Sequence, residues 1–368
     1  MNSLTIERPF DIIETMKNHS SDYYHERNIK NLDRIDELLD DLPSFCEDFL
    51  RGVETRTSTL TRLNYCYDLR IFFHFLTERK FRNKVPLDLT LEDLERVTDT
   101  DIEIFLSTLS NYRYHGKRLS CDERAKARKL STVRSLFKYF FNKGLIEVNN
   151  TAKVATPKLH EKEIIRLESD EVEDMLNVAE YGNGLSNHAN GYHDKTKIRD
   201  VAILTLFLGT GIRISELVGL NKNSIDLTTN SFIVTRKGGN HAILYFSDEV
   251  ADAIRTYLMQ RESDPKVPQA EEALFLSMQY KRITVRAVEN LVKKYAKIVS
   301  PLKKITPHKL RSTYGTSLYR QTGDIYIVAE VLGHKDVNTT RKHYAAISED
   351  SRKAVAGAVR LRKKDDDE

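Results

Sequence analysis

The chain has 368 residues, of which 40% are hydrophobic and 30% are charged, with only 15 Gly and 8 Pro. This composition excludes a disordered or fibrous protein and is typical of a helix-rich globular protein long enough for two domains. The longest apolar stretch, "VAILTLFLG" at residues 201–209, is too short to cross a bilayer, and the three cysteines form no CxxC pair. We therefore expect a cytoplasmic protein with no membrane segment, disulfide framework or zinc site.

The net charge of +4 is unevenly distributed along the chain. Residues 1–50 contain 5 Lys or Arg and 12 Asp or Glu, whereas residues 113–134 contain eight basic and two acidic side chains. A basic face on a helical domain is typical of proteins that bind DNA phosphates. A solvated helix face would give the same pattern, so charge alone leaves both interpretations open.

Helical periodicity dominates the first 150 residues. Residues 1–50 form an acidic helical extension, and the spacing from 55 to about 150 predicts helices throughout, the last of them a long helix ended by Gly144. The segment around Pro157 breaks this periodicity and is interpreted as a linker. The pattern divides the first part of the chain into an extension at 1–50, a helical domain at 51–155 and a linker at 156–166.

The remaining residues, 167–368, predict a second domain of mixed type. A helix at 168–179 is followed by a polar segment at 180–197 that we interpret as a loop, and then by a buried helix that ends at Gly209. Alternating residues in 224–247 with two turn signals predict a small antiparallel sheet, and helices resume at residue 284. The predicted fold class is mainly α with a small antiparallel β-sheet.

Four short motifs in this second domain contain the residues of a candidate active site. Arg213 follows a Gly turn and opens a helix, and Lys237 lies at the tip of a hairpin. His308 and Arg311, three residues apart, share a helix that begins at Thr306 and Pro307. The fourth motif is "LGHKDVNTTRKHY", in which Gly333 and His334 precede Tyr344.

These residue types suit one reaction, the attack of a phenolic oxygen on a phosphodiester. Guanidinium and imidazole groups stabilise the negative charge that develops on the non-bridging oxygens, and a lysine can protonate the departing sugar oxygen. The sequence has no HExxH or P-loop motif that would indicate a metal or nucleotide site. We therefore expect no cofactor.

The motifs "TGIRISELVGL", "TPHKLRSTYGTSL" and "LGHKDVNTTRKHY" resemble those of the tyrosine recombinase (phage integrase) family, of the Xer-like or integrative-element type, over about residues 55–355. The resemblance implies a two-domain DNA clamp, with a SAM-like helical core-binding domain and a mixed α+β catalytic domain. It also implies roles for the six residues: Tyr344 as the nucleophile, Arg213, Arg311 and His334 as the phosphate clamp, His308 in support and Lys237 as the general acid. One departure is Arg236, at a position where the family often has Gly.

The resemblance also indicates the partner, double-stranded DNA with paired inverted half-sites. Family members act as dimers on one site and tetramers in synapsis, with a recombinase partner or accessory factors in some systems. The helix after Tyr344 would dock on a neighbouring subunit. The candidate DNA contacts on the basic helix are Arg124, Lys126, Arg128, Lys129 and Arg134.

Two other functions are compatible with the same residues. A type IB topoisomerase-like enzyme would cleave and reseal one duplex without exchange, and it would use the same six side chains. A DNA-binding regulator without catalytic activity could have this scaffold, although the complete set of six argues against it.

Overall fold

The computed structural model describes residues 9–159, 164–236, 240–334 and 337, with side chains from Tyr23 onward. The chain divides into two compact units. We call Tyr23–Lys162 the helical unit and the chain from Glu163 onward the mixed unit. Within the described residues, none of the helices combines the length and apolar character needed to cross a membrane.

The helical unit consists of helices joined by short turns. Hydrogen bonds at the helix starts set several boundaries: the Thr98 hydroxyl accepts from the Asp101 N–H at 3.2 Å, and the Asp101 carboxylate accepts from the Thr98 N–H at 2.8 Å. Asp122 caps the last helix by accepting from the Ala125 N–H at 2.9 Å. The helices are α1 (Pro9–Leu39), which belongs to this unit from Tyr23 onward, α2 (Phe45–Gly52), α3 (Thr59–Arg79), α4 (Leu91–Glu95), α5 (Asp99–Thr108) and α6 (Glu123–Asn142).

The hydrophobic core of the helical unit includes residues on both sides of position 50, the predicted end of the acidic extension. Ile35, Leu38 and Phe49 are buried in the same cluster as Phe72 and Phe137. In the last turns of α1, Asp33, Asp36 and Glu37 are exposed whereas Ile35 and Leu38 are buried, so the charge lies on the solvent side and the apolar residues face the core. Residues 35–50 thus contribute to the core of the helical unit, whereas the sequence pattern had grouped them with a separate extension.

A β-hairpin interrupts the helices between α5 and α6. Strands β1 (Tyr112–Tyr114) and β2 (Lys117–Leu119) pair antiparallel. His115 and Gly116 form the tip with φ of 48° and 74°, the left-handed conformation of tight two-residue hairpin turns. The expectation of helix throughout residues 55–150 was therefore wrong here, because an alternating Tyr-Arg-Tyr run and a His-Gly turn specify a short ribbon.

The mixed unit combines helices with a small sheet, in agreement with the predicted fold class. The sheet has the order β3-β4-β5 and is antiparallel, with Ile225 opposite Phe232 and Ile233 opposite Ile243. Its elements are α7 (Ser169–Tyr181), α8 (Asn187–Thr210), α9 (Ile214–Val218), β3 (Ile225–Asp226), β4 (Ser231–Thr235), β5 (His241–Tyr245), α10 (Asp248–Ser263), α11 (Val285–Val299), α12 (Pro307–Thr322) and α13 (Ile325–Leu332).

Helix α8 is longer than the sequence predicted. The sequence predicts a loop at 180–197, but α8 begins at Asn187. Ser186 caps this helix, because its hydroxyl accepts a hydrogen bond from the Ala189 N–H. Most polar residues of its first turns are exposed, but His193 is buried, and its Nε2 atom lies 2.8 Å from the carbonyl oxygen of Ala179 on α7. The polar composition predicted a loop, whereas the segment from Asn187 is helical and a hydrogen bond to α7 allows the His193 side chain to be buried.

Candidate active site

The turn after α8 brings three helices of the mixed unit together. Gly211 ends α8 with a φ of 62°, which favours glycine. A Cβ atom on Gly211 would lie 2.5 Å from Cδ1 of Tyr314 on α12 and 2.9 Å from Cδ2 of Leu332 on α13. The glycine therefore permits a close approach of α8 to both helices, and the chain then runs directly into Arg213.

Arg213 connects α9 to the end of α13. Its backbone N–H and its Nη1 atom donate to the carboxylate of Glu216 at 3.0 and 2.7 Å. Its Nη2 atom donates to the carbonyl oxygens of Leu332 at 3.2 Å and Gly333 at 2.9 Å. The Arg213 side chain is 34% exposed, whereas that of Glu216 is only 4% exposed, so the buried carboxylate fixes a guanidinium that solvent can reach.

Arg311 reaches the same carbonyl from α12. This helix begins after Thr306 with Pro307 at its first position, as predicted. Arg311 is buried and donates from Nη1 to the carbonyl oxygen of Gly211 and from Nη2 to that of Leu332. The guanidinium groups of Arg213 and Arg311 therefore meet at one backbone oxygen, although 98 positions separate them in the sequence.

The end of α13 places His334 next to this pair. Gly333 adopts a φ of 60° and donates its N–H to the carbonyl oxygen of Glu330, while the His334 N–H donates to that of Ala329, both at 2.9 Å. This is the Schellman arrangement that ends helices at glycine. His334 thus follows immediately after the carbonyls that the arginines hold, and His308 lies on the exposed surface of α12 one turn before Arg311.

Arg236, directly after β4, is a further site residue beside the six predicted from the sequence. Its Nη2 atom donates to the carbonyl oxygen of Val331 at 2.9 Å, and Nη1 donates to that of Glu330 at 3.4 Å. The guanidinium lies against Gly333, where a Cβ atom would collide with Nη1. The lack of a side chain at Gly333 was visible in the sequence, but the group that fills that space was not.

Three guanidinium groups, those of Arg213, Arg236 and Arg311, therefore surround the C-terminal end of α13. Carbonyl oxygens are neutral acceptors, and Glu216 is the carboxylate that pairs with this group within the described part of the chain. Burial lowers the pKa of Arg236 and the nearby charge of Arg213 lowers it further, while Glu216 raises it. Three guanidinium groups against one carboxylate leave an excess of positive charge that suits an anionic ligand such as a phosphodiester, and part of this charge offsets the negative end of the α13 dipole.

Two of the six predicted catalytic residues, Lys237 and Tyr344, lie outside the described residues. The hairpin that leads to Lys237 is described up to Arg236, whose N–H donates to the carbonyl oxygen of Asn240 at 2.7 Å. The other four, Arg213, His308, Arg311 and His334, lie on the α8–α9 turn, α12 and the end of α13. Their catalytic roles remain predictions.

The five predicted DNA contacts on α6 differ in their environments. Arg124 is exposed, and Lys126 pairs with Glu123 at 2.8 Å. Arg128 is half exposed and donates to Asp68 at 2.6 Å, whereas buried Lys129 donates to the other oxygen of Asp68 at 2.8 Å. Arg134 donates to the carbonyl oxygens of Thr151 and Val154 and to the hydroxyl of Thr156. Lys129 and Arg134 therefore have structural partners within the helical unit.

Comparison with protein-family models gives two matches that together cover most of the chain. The model described as the phage integrase family matches residues 165–350. The model described as the phage integrase N-terminal SAM-like domain matches residues 46–144. The first match contains all six predicted catalytic residues, and the second contains α3 to α6.

Individual relatives and solved structures agree with these matches. Tyrosine recombinase XerC of Caldanaerobacter subterraneus subsp. tengcongensis is 34% identical over 323 residues, which cover 85% of this chain and 86% of that protein. Tyrosine recombinase XerS of Lactococcus lactis subsp. cremoris is 29% identical over 360 residues, which cover 90% and 98%. In fold, the chain is similar to XerH site-specific recombinase bound to a palindromic difH substrate, with a TM-score of 0.64, 17% identity and 89% of each chain covered. It is also similar to a lambda integrase dimer bound to a COC′ core site, with a TM-score of 0.56, 16% identity and 82% and 94% covered.

Proposed function

This chain belongs to the phage integrase family and is a tyrosine-type site-specific recombinase, and we propose that Tyr344 is the nucleophile with which it cleaves and rejoins DNA. One observation in the mixed unit carries the assignment of the site. Arg213 and Arg311, from separate helices, donate to the same carbonyl oxygen of Leu332, two residues before His334. A phosphate held by these groups would lie close to the segment that leads to Tyr344.

The proposed reaction proceeds in two steps. The Tyr344 oxygen attacks the scissile phosphorus and the bond to the 5′ oxygen breaks, which leaves a 3′-phosphotyrosyl link. Lys237 protonates the departing 5′ oxygen, Arg213, Arg311 and His334 stabilise the charge on the non-bridging oxygens, and His308 supports the proton transfer. A free 5′-hydroxyl of the exchanged strand then attacks the phosphorus of this link, the bond to the Tyr344 oxygen breaks, and the tyrosine is released as a phenol. Because the covalent intermediate conserves the bond energy, neither ATP nor a metal is required.

The DNA partner and the assembly are proposed from the same family membership. The similar XerH recombinase is bound to a palindromic DNA substrate, and the similar lambda integrase is a dimer bound to a core site. We propose that this chain binds paired inverted half-sites as a dimer and forms a tetramer in synapsis, in the cytoplasm, with accessory proteins where its sites require them. In this proposal residues 51–155 bind the half-site, 156–166 connect the units, and 167–368 cleave.

The central test replaces the proposed nucleophile. Tyr344→Phe removes only the phenolic oxygen, so DNA binding should be retained while the covalent complex on a nicked suicide substrate disappears from a denaturing gel. Tyr314→Phe is the matched control. The Tyr314 ring packs against the cluster of Val328 and Leu332, and burial raises its pKa, so we assign it a structural role and no part in the attack on DNA. If the Tyr344→Phe variant still traps DNA, or the Tyr314→Phe variant fails to, the assignment of Tyr344 is wrong.

An assay of the wild-type protein on two DNA sites distinguishes recombination from simple relaxation of supercoiled DNA. We expect products with exchanged flanks when two sites are supplied on separate DNA molecules. A protein that relaxes supercoiled DNA and forms the covalent complex but never exchanges flanks would be a type IB topoisomerase-like enzyme. A protein that binds specifically and never forms the complex would be a regulator.

A further inference from the structure

The hairpin β1–β2 of the helical unit has two chemically different faces. Side chains alternate across a strand, so Tyr112 and Tyr114 point to one face and Arg113 points to the other. The register places Arg113 directly opposite Arg118 and Tyr114 opposite Lys117. One face of the ribbon is thus largely aromatic, and the other presents two opposed arginines.

The aromatic face anchors the hairpin to the helices. Tyr112 packs against the hydrophobic core of the helical unit, and its hydroxyl lies 3.9 Å from the thiol of Cys121. The Tyr114 ring makes an edge contact with His74 on α3, with 5.3 Å between ring centroids. Both tyrosines are partly buried, so the ribbon is held in a defined orientation and the arginine face is directed outward.

The arginine face has an unfavourable arrangement of charge when nothing is bound. Like charges directly opposite in an antiparallel pair destabilise the pairing. Arg113 and Arg118 are both exposed, and within the described residues neither forms an ion pair with a carboxylate. Arg118 instead donates from Nε to the amide oxygen of Asn111 at 2.7 Å, a neutral acceptor that orients the guanidinium without neutralising it. An anionic partner would relieve the repulsion between the two.

In the chain, the hairpin directly precedes the exposed basic residues of α6. Arg124 and Arg128 lie within the first two turns of that helix, whereas Lys117, opposite Tyr114, lies on the other face of the ribbon from the two arginines. Two acidic residues intervene: Asp122 caps α6 and Glu123 pairs with Lys126. A two-stranded ribbon is narrow enough to enter the major groove of duplex DNA, and its opposed arginines can bind phosphates from there.

We propose that the β1–β2 hairpin is a second DNA-binding element of the helical unit, in which Arg113 and Arg118 bind backbone phosphates beside the half-site contacts of α6. This inference rests on the proposed function for its ligand, duplex DNA. The two arginines contribute affinity that does not depend on sequence, because phosphate contacts carry no base information. They take no part in cleavage.

The test measures half-site binding by the full-length Arg113→Ala/Arg118→Ala protein at several salt concentrations, using fluorescence anisotropy. Loss of two phosphate contacts should reduce the slope of log K against log salt by about 1.8 in magnitude. Affinity should fall by about tenfold for each arginine, to the same extent on specific and unrelated duplexes. The control is Arg56→Ala/Arg82→Ala, which removes the same charge from exposed positions elsewhere in the helical unit and should leave the slope unchanged.

Each result distinguishes this inference from the proposed function. A wild-type protein that forms the covalent complex, together with a hairpin variant of unchanged slope, overturns the hairpin proposal alone. A variant of reduced slope, together with a wild-type protein that never forms the complex, supports the hairpin proposal and overturns the proposed role of Tyr344. If the variant keeps its slope but loses self-association, the arginines contact protein and the inference is wrong. Arg113→Lys/Arg118→Lys, which keeps the charge, should retain most of the slope and controls for folding.

Discussion

Arg236 shows how one residue can connect two parts of the candidate site. The family often has a glycine before the hairpin lysine, and here an arginine takes that position and donates to the carbonyl oxygens of Glu330 and Val331. Its guanidinium occupies the space beside Gly333 that a side chain would fill. Arg236 therefore acts as a positioning residue, because it holds the strand that leads to Lys237 against the turn that carries His334.

This contact predicts a coupling between positions 333 and 236. Gly333→Ala introduces a left-handed alanine, which costs about 1–2 kcal/mol, and a Cβ atom that collides with Arg236. Single-turnover cleavage should fall at least about tenfold, the order of magnitude expected for a displaced catalytic group. Arg236→Gly should restore part of that loss, with a coupling free energy of at least about 0.5 kcal/mol in the double-mutant cycle.

Gly323 provides a matched control for this prediction. It ends α12 with a φ of 65°, and a Cβ atom there would meet nothing within 4 Å. Gly323→Ala should therefore lower thermal stability through backbone strain alone, with no coupling to Arg236→Gly. Additive effects of the changes at 333 and 236 would show that the guanidinium moves aside freely and positions nothing.

At the scale of the element, α6 divides its basic residues between the protein surface and the core. Asp68 on α3 is buried and accepts from Lys129, from Arg128 and, at 2.9 Å, from the hydroxyl of Thr132. This cluster fixes α6 against α3 at the point where the apolar stripe of α6 enters the core. Lys129 therefore stabilises the helical unit, while Arg124, which lies earlier on the helix and is exposed, remains a candidate for binding DNA.

The two roles predict different outcomes for two substitutions on one helix. Lys129→Met leaves Asp68 with Arg128 and Thr132 and should reduce the free energy of unfolding by about 1–3 kcal/mol, measured by urea denaturation. Arg124→Ala should change stability by less than about 0.5 kcal/mol and should reduce the salt slope of half-site binding by about one.

Asp68→Ala extends this comparison. It leaves the Lys129 ammonium buried without its carboxylate, so it should be more destabilising than Lys129→Met, by about 3–5 kcal/mol in all. A Lys129→Met protein of unchanged stability and reduced salt slope would show that Lys129 leaves Asp68 to bind DNA.

At the scale of the whole molecule, the proposed assembly depends on the chain after Tyr344. This segment lies outside the described residues, but its sequence "SEDSRKAVAGAV" has a capping serine, and Ala354, Val355, Ala358 and Val359 fall at helical spacing. An apolar stripe of this kind requires a surface to cover it. In the proposed assembly that surface belongs to a neighbouring subunit, so the segment would connect Tyr344 of one subunit to the state of the next.

Deletion of residues 349–368 tests this proposal. Every predicted catalytic residue precedes the deletion, so binding to a single half-site should change by less than about twofold, equivalent to a few tenths of a kcal/mol. Cooperative binding to the full site and strand exchange should fall by at least about tenfold, the loss expected for a coupling of about 1.4 kcal/mol. Native gels with half-site and full-site DNA, run beside a recombination assay, measure both. Loss of half-site binding and thermal stability together would show that the segment packs on its own subunit.

Local chemistry in the sequence determined many element boundaries and the motifs of the candidate site. Thr306 with Pro307 begins α12, as predicted, and the Thr98–Asp101 capping pair and Gly333 likewise specify a helix end through groups within a few residues. The motif order from Arg213 to Tyr344 was sufficient to identify the family for the same reason, because each motif is short and continuous.

Only the tertiary structure decided which polar groups are buried and which surfaces are free. Lys129 has its partner 61 positions away at Asp68, and Arg236 has its partner 95 positions away at Val331. His193 is buried in a segment whose composition predicted a polar loop, and Ile35 belongs to the core of the helical unit although its neighbours in the sequence are acidic. A charged or polar side chain is stable inside a protein only when a specific partner meets it there, and the partner's position depends on the packing of distant elements.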